Sequence, residues 1–186
     1  METTTTGLPD FIALSDRFAQ LETGENRFVR DLSMNWKGIL SSTLLSAKET
    51  ALLGLSLSVN AKECSMMAFF DRMADESQAT ASEKADAIAC ASMLTANNVF
   101  YRFRHFMNDP NYDGLPARLR MQAMMNPSCG KELFELMSLA ISAVNGCEKC
   151  VVAHEHSLRE LGTSREKIWE SIRFASVFES ARKLSK

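Results

Sequence analysis

The chain has 186 residues, 46% hydrophobic and 24% charged, with a formal net charge of −2. That length can bury a core, and the composition is that of an ordinary soluble protein. Near-neutral charge without a long basic run argues against nucleic acid as a partner, and no apolar run approaches the ~20 residues of a membrane span. The N-terminus, METTTTGLPDF, lacks a charged n-region and an apolar h-region, so no signal peptide is expected and the location is read as cytoplasmic. In a reducing compartment the five cysteines are not expected to form a disulfide framework.

In chain order, residues 1–7 are Thr-rich and expected to fray. Apolar spacing predicts a helix over 8–22, broken at Gly24, then a short helix over 28–34. The run over 42–61 is apolar on most faces and reads as a buried helix; 63–77 is another, rich in methionine and phenylalanine. Thr80 with Glu83 is a capping-box pattern that opens a long helix to about residue 106. NDPNYDGLP, 108–116, is the clearest loop. A short helix is expected over 117–125, stopped by Asn126-Pro127, with further helices over 131–144, 147–161 and 164–184. No strand pattern appears, so the fold class is all-α.

A weak internal repeat underlies this order. At an offset of 83, Cys64 falls on Cys147 and Thr80 on Thr163, so a second capping box is expected as Thr163 with Glu166. Each copy reads helix, helix, capped helix. The chain is read as a single domain of two related halves, about 25–107 and 117–186. Only the second carries a reactive set; where it has Glu135, Cys150 and His154, the first has Leu52, Met67 and Asp71.

That set lies around NGCEKCVVAHEHSL, 145–158. Cys147 and Cys150 form a C-x-x-C pair, and His154 follows Cys150 by about one helical turn, on the same face. An imidazole beside a thiol can take its proton, and the thiolate is the reactive form. Asn145-Gly146 reads as a turn, which sets the pair at a helix N-terminus, where the macrodipole also favours a thiolate. Glu135 lies in an apolar helix. A buried carboxylate needs a partner, and His154 on a neighbouring helix would supply one. Glu135 is read as lacking a local partner in its own helix, with Lys131 four residues earlier the only nearby cation. The chain is then orienter, base and nucleophile: Glu135, His154, Cys150. The bland alternative puts Glu135 at a solvent-facing helix edge. A Cys₂His₂ zinc site from Cys147, Cys150, His154 and His156 is disfavoured, because His156 leaves the shared face and structural zinc ligands usually come from two separated clusters. Cys64, Cys90 and Cys129 read as ordinary buried or half-buried thiols, and His105 as structural or exposed.

The pattern Glu135, eleven residues, Cys147-x-x-Cys150, three residues, His154 resembles the signature of AhpD-type alkyl hydroperoxidases, within the carboxymuconolactone decarboxylase-like superfamily. ANNVFYRFRHF (96–106), LRMQAMMNP (119–127) and SAVNGCEKCVVAHEHSLRELG (142–162) extend the resemblance over roughly 35–180. The resemblance implies an all-helical fold of two related halves and an oligomer, commonly a trimer. It implies an antioxidant peroxidase with no bound cofactor, fed by dihydrolipoamide from a lipoyl-carrying protein such as a dihydrolipoamide acyltransferase, and able to reduce a partner peroxiredoxin, AhpC. Carried over, Cys150 would become the sulfenic acid and form the interchain disulfide with the peroxiredoxin. Cys147 would donate a proton and close the Cys147–Cys150 disulfide, with His154 and Glu135 as the proton relay. One departure stands out: close family members carry a histidine immediately before the second cysteine, where this chain has Lys149. A thiol–disulfide adaptor with little peroxidase activity, or a decarboxylase-like protein, are the alternative functions.

Overall fold

The computed structural model describes residues 27–184. The helix expected over 8–22 lies outside the described residues. Eight helices and no strand are found among the described ones: α1 (Arg27–Leu40), α2 (Ala47–Ala61), α3 (Cys64–Glu76), α4 (Ala81–Met107), the single turn α5 (Pro110–Asp113), α6 (Lys131–Val144), α7 (Glu148–Glu160) and α8 (Arg165–Arg182). The all-α expectation holds.

The two most apolar helices are the central ones. Every residue from Thr50 to Ser58 of α2 and from Leu133 to Ser142 of α6 is buried. They pack on each other; α3 and α4 cover α2, while α4, α7 and α8 cover α6. A helix apolar on all faces is stable only when enclosed in this way. Phe70 of α3 is the hub of the aromatic core, with ring centroids 4.9 Å from Phe69, 5.9 Å from Phe174, 6.0 Å from Trp36 and 6.1 Å from Phe178. Gly54 of α2 lies so close beneath it that a Cβ there would sit 2.3 Å from the ring.

Several boundaries differ from the sequence expectations. α1 runs past residue 34, because Trp36 and Ile39 continue the buried stripe begun by Val29 and Leu32. α2 begins at Ala47, not 42, because Ser46 and Glu49 form a capping box. The helix expected over 117–125 is only a 3₁₀ turn (Gln122–Met124). Arg118, at φ 53°, stands in the left-handed region, and no residue of the turn is buried, so neither backbone nor core supports a helix there.

The repeat is also corrected. The cap of α8 is Ser164, whose side chain accepts from Lys167 N–H; Thr163 is buried and its Oγ1 donates to Glu132 Oε1 at 2.9 Å. With Ser164 opposite Thr80, the offset becomes 84 (164 − 80). Helix ends then coincide in detail. At the end of α2, Lys62 and Glu63 N–H return to Val59 and Ser58 carbonyls; at the end of α6, Gly146 and Cys147 return to Ala143 and Ser142. Lys62 and Gly146 both adopt positive φ, 57° and 69°, as this C-terminal motif requires. The end of α3 repeats in α7 the same way, with Gln78 opposite Gly162. In this register Glu135, Cys150 and His154 stand opposite Ala51, Met66 and Phe70, all buried in the core, rather than Leu52, Met67 and Asp71.

Candidate active site

The loop between α6 and α7 is built from backbone geometry first. Gly146 supplies the left-handed turn, and the Cys147 N–H to Ser142 carbonyl bond (3.0 Å) pins Cys147 against the end of α6. Cys147 is therefore the N-cap of α7, at φ −98° and ψ 90°, and not its first helical residue as the sequence reading had it. Its extended backbone lets the side chain turn toward the helix it caps. Cys147 and Cys150 are joined by a disulfide, with Cα atoms 5.3 Å apart. Cys147 is fully buried and Cys150 is 7% exposed.

Residues from two other helices hold this loop. Asn145 exchanges side-chain hydrogen bonds with Asn60 of α2 at 3.1 Å, and its Nδ2 also donates to Asn98 Oδ1 of α4 at 2.9 Å. Asn98 Nδ2 in turn donates to Ser142 Oγ at 3.0 Å. Arg102 Nη1 donates to the Asn145 carbonyl at 2.5 Å. His105 Nε2 lies 3.2 Å from Glu148 Oε2, tying the end of α4 to the first residue of α7. None of these clamping residues was singled out from sequence. Asn145 reads as a turn residue and His105 as structural or exposed, while Asn98 and Arg102 are 47 and 43 residues from Asn145.

One turn after Cys150 in α7, His154 Nδ1 meets Glu135 Oε2 of α6 at 2.6 Å. Glu135 is 3% exposed, so the buried-carboxylate reading holds and the solvent-edge alternative does not. Burial alone would raise its pKa, but the hydrogen bond and charge of His154, then those of Lys131, outweigh it and hold the carboxyl below its usual value of 4.5. Lys131 Nζ lies 3.1 Å from Glu135 Oε1. Glu135 thus does have a partner in its own helix, and the i, i+4 spacing was the signal for it.

With Nδ1 engaged by a carboxylate, Nε2 is the nitrogen left for proton exchange, one turn from the Cys150 sulfur. A buried acid, an oriented imidazole and a vicinal dithiol can together form a thiolate and cycle between dithiol and disulfide.

The remaining thiols sit in different surroundings. Burial pushes the Cys90 thiol up to about 12, and burial together with nearby Asp86 does the same for Cys129. Both stay protonated at neutral pH. Cys64 is exposed at the start of α3, against the expectation of a buried or half-buried thiol, while Met66 two residues on is buried. His156 lies on the exposed face of α7, 3.3 Å from Glu160, and Lys149 is exposed between the two cysteines.

The carboxymuconolactone decarboxylase family model matches residues 110–184, which hold all four site residues. The chain is 36% identical over 153 residues to the alkyl hydroperoxide reductase AhpD of Bradyrhizobium sp. (strain ORS 278), covering 82% of this chain and 84% of the relative. It is 42% identical to the AhpD of Nocardia farcinica over 81% of this chain and 83% of the relative. The AhpD of Frankia alni is 39% identical, with 81% and 80% covered.

Proposed function

The chain belongs to the AhpD family of alkyl hydroperoxide reductases, and on that premise we propose that it reduces organic hydroperoxides with Cys147 and Cys150 as the redox pair. The observation that carries this reading is the 2.6 Å contact between His154 Nδ1 and Glu135 Oε2, one helical turn beyond Cys150. It leaves His154 Nε2 to take the Cys150 proton while Glu135 stabilises the resulting imidazolium. The Cys150 thiolate attacks the O–O bond of ROOH, forming a sulfenic acid and releasing RO⁻, which leaves as the alcohol with the proton of Cys147. The Cys147 sulfur then attacks the sulfenic sulfur, the S–S bond forms, and the hydroxide released departs as water with the proton that His154 took from Cys150. Two electrons have passed from the two thiols to the peroxide. Dihydrolipoamide on a lipoyl-carrying protein, such as a dihydrolipoamide acyltransferase, restores the dithiol by exchange and becomes lipoamide.

The same pair would reduce a partner peroxiredoxin, AhpC, through a mixed disulfide at Cys150. Exposed Lys149 favours giving weight to this adaptor role: an ammonium can support a thiolate but does not shuttle protons near neutral pH. Self-association, as a homotrimer, is supported by the exposed apolar stripe of α4, Ile88, Val99, Phe103 and Phe106, continued by Leu115. We read the chain as one domain whose trios α2–α4 and α6–α8 are related halves, and its location as cytoplasmic; among the described residues no helix is long and apolar enough to cross a membrane.

The test is steady-state reduction of cumene hydroperoxide driven by dihydrolipoamide. Turnover by the native protein, absent in Cys150→Ser and Cys147→Ser, is expected. Turnover that appears only when a peroxiredoxin is added would make the adaptor role the main one. No turnover under either condition, with a disulfide that dihydrolipoamide does not reduce, would overturn the proposal.

A further inference from the structure

We propose that Lys131 is a positioning residue of this site, holding one oxygen of Glu135 so that the other stays on His154 Nδ1. The inference rests on the thiol-redox reading above. The two carboxylate oxygens have separate partners: Oε1 faces Lys131 Nζ at 3.1 Å, and Oε2 faces His154 Nδ1 at 2.6 Å. Lys131 Nζ is itself anchored, donating to the Met124 carbonyl at 2.9 Å. A carboxylate bonded to one donor alone can rock about its last torsion. One held at both oxygens by donors on two helices cannot.

Helix stability does not account for this lysine. Lys131 is the first residue of α6, where the macrodipole repels a cation, and its N-cap, Gly130, offers no side-chain cap. Lysine four residues before glutamate is also the less favourable order for a helix pair. At the matching position α2 begins with Ala47, and Ala51 stands where α6 has Glu135. The lysine and the carboxylate are thus present together in the trio that carries the thiols and absent together from the other.

The chemical consequence is a choice of proton position. With Lys131 on Oε1, Glu135 stays ionised and stabilises charge instead of removing the proton from the imidazole. The Nδ1–H tautomer persists, and Nε2 remains the acceptor for Cys150. Other charged or titratable groups near Glu135 are few. His154 comes from α7 and the buried Cys90 thiol from α4, while Glu49 of α2 and Glu132 of α6 are occupied by Lys167 of α8 at 2.7 and 3.0 Å. Removing the Lys131 charge leaves Glu135 less firmly ionised and so weakens the support for a Cys150 thiolate.

The test follows alkylation of Cys150 in the reduced full-length protein against pH, using iodoacetamide and peptide-resolved mass spectrometry so that exposed Cys64 does not interfere. Lys131→Met is expected to move the rising limb upward by a few tenths to about one pH unit and to slow the reaction at pH 7 about three- to tenfold. Lys131→Arg, which keeps the charge and a donor, should restore both. In a Glu135→Gln background, Lys131→Met should change nothing further. An unmoved limb in Lys131→Met, or a loss that adds fully to that of Glu135→Gln, would overturn the proposal, as would a loss in Lys131→Met that tracks a fall in helix content and is not rescued by arginine. Alkylation needs no hydroperoxide, so absent peroxide turnover strikes the function proposed above and leaves this test standing.

Discussion

Helices α2 and α6, and likewise α3 and α7, end in the same backbone hydrogen bonds, and α4 and α8 begin from matching caps, yet the two trios use the enclosed space differently. In the first trio the positions matching Glu135, Cys150 and His154 are Ala51, Met66 and Phe70, and Phe70 presses onto Gly54. In the second, those positions hold a carboxylate, a thiol and an imidazole, and Ser138 replaces the glycine and faces Cys90 at 3.4 Å. Even the ion pair between the first and third helices is kept with its charges exchanged: Lys48 with Glu83 in one, Glu132 with Lys167 in the other. The difference teaches that one backbone arrangement supports either an apolar core or a buried acid–imidazole pair. What decides is whether each buried polar group has a partner across the helix–helix seam.

The largest effect should come from the relay side. Glu135→Gln and His154→Phe should each lower peroxide or disulfide-exchange activity by about 10²–10⁴-fold with the fold retained. The double variant should be little worse than either alone, since the two act as one unit. Multiplicative losses in a rate assay would separate Glu135 from His154. On the core side, Phe70→Ala should lower unfolding free energy by about 3–5 kcal/mol, read by urea denaturation; a cost under about 1 kcal/mol would remove Phe70 from the centre of the core.

Smaller effects test the shared helix ends. Gly146→Ala places a Cβ at φ 69° and should cost about 1–2 kcal/mol. Lys62→Gly relieves the same strain at the matching position, offset by added chain entropy, and should stay within about 0.5 kcal/mol of native stability. Thermal melts that give both substitutions the same sign and size would break the correspondence. The smallest effect is acid sensitivity. The Glu135 carboxyl is held below 4.5 in the fold, so its contribution to stability is complete above that value and is lost as the pH falls through the lowered one. The stability of the native protein relative to Glu135→Gln should therefore fall on acidification below about pH 4.5. A constant difference across that range would mean the carboxyl gains nothing from His154 and Lys131.

The placement of the site residues is more legible in the sequence than the register. The helical step from Cys150 to His154 and the burial of Glu135 in an apolar helix both follow from local periodicity, and both stand in the structure. The helix over 131–144 was also read correctly, since its apolar run is bounded by Gly130 and Asn145-Gly146. The repeat was read one residue out of step, because Thr163 and Ser164 are both plausible caps and only the fold buries the threonine beneath Glu132. The segment over 117–125 has the composition of a helix, but it touches α4 only through Met121 and the short turn that follows, and Arg118 takes a left-handed backbone. The clamp around Asn145 was invisible because amide–amide hydrogen bonds between distant helices leave no periodic trace.

That clamp has a consequence for the order of events when the chain folds. Asn60 and Asn145 are 85 residues apart, and Asn98 and Asn145 are 47 apart. Contacts of such separation carry a loop-closure cost and tend to form late. Until α2 and α4 have docked on α6, the C-x-x-C loop lacks its anchors. On the function proposed above, reactivity then arrives with the completed tertiary structure rather than with the nascent chain.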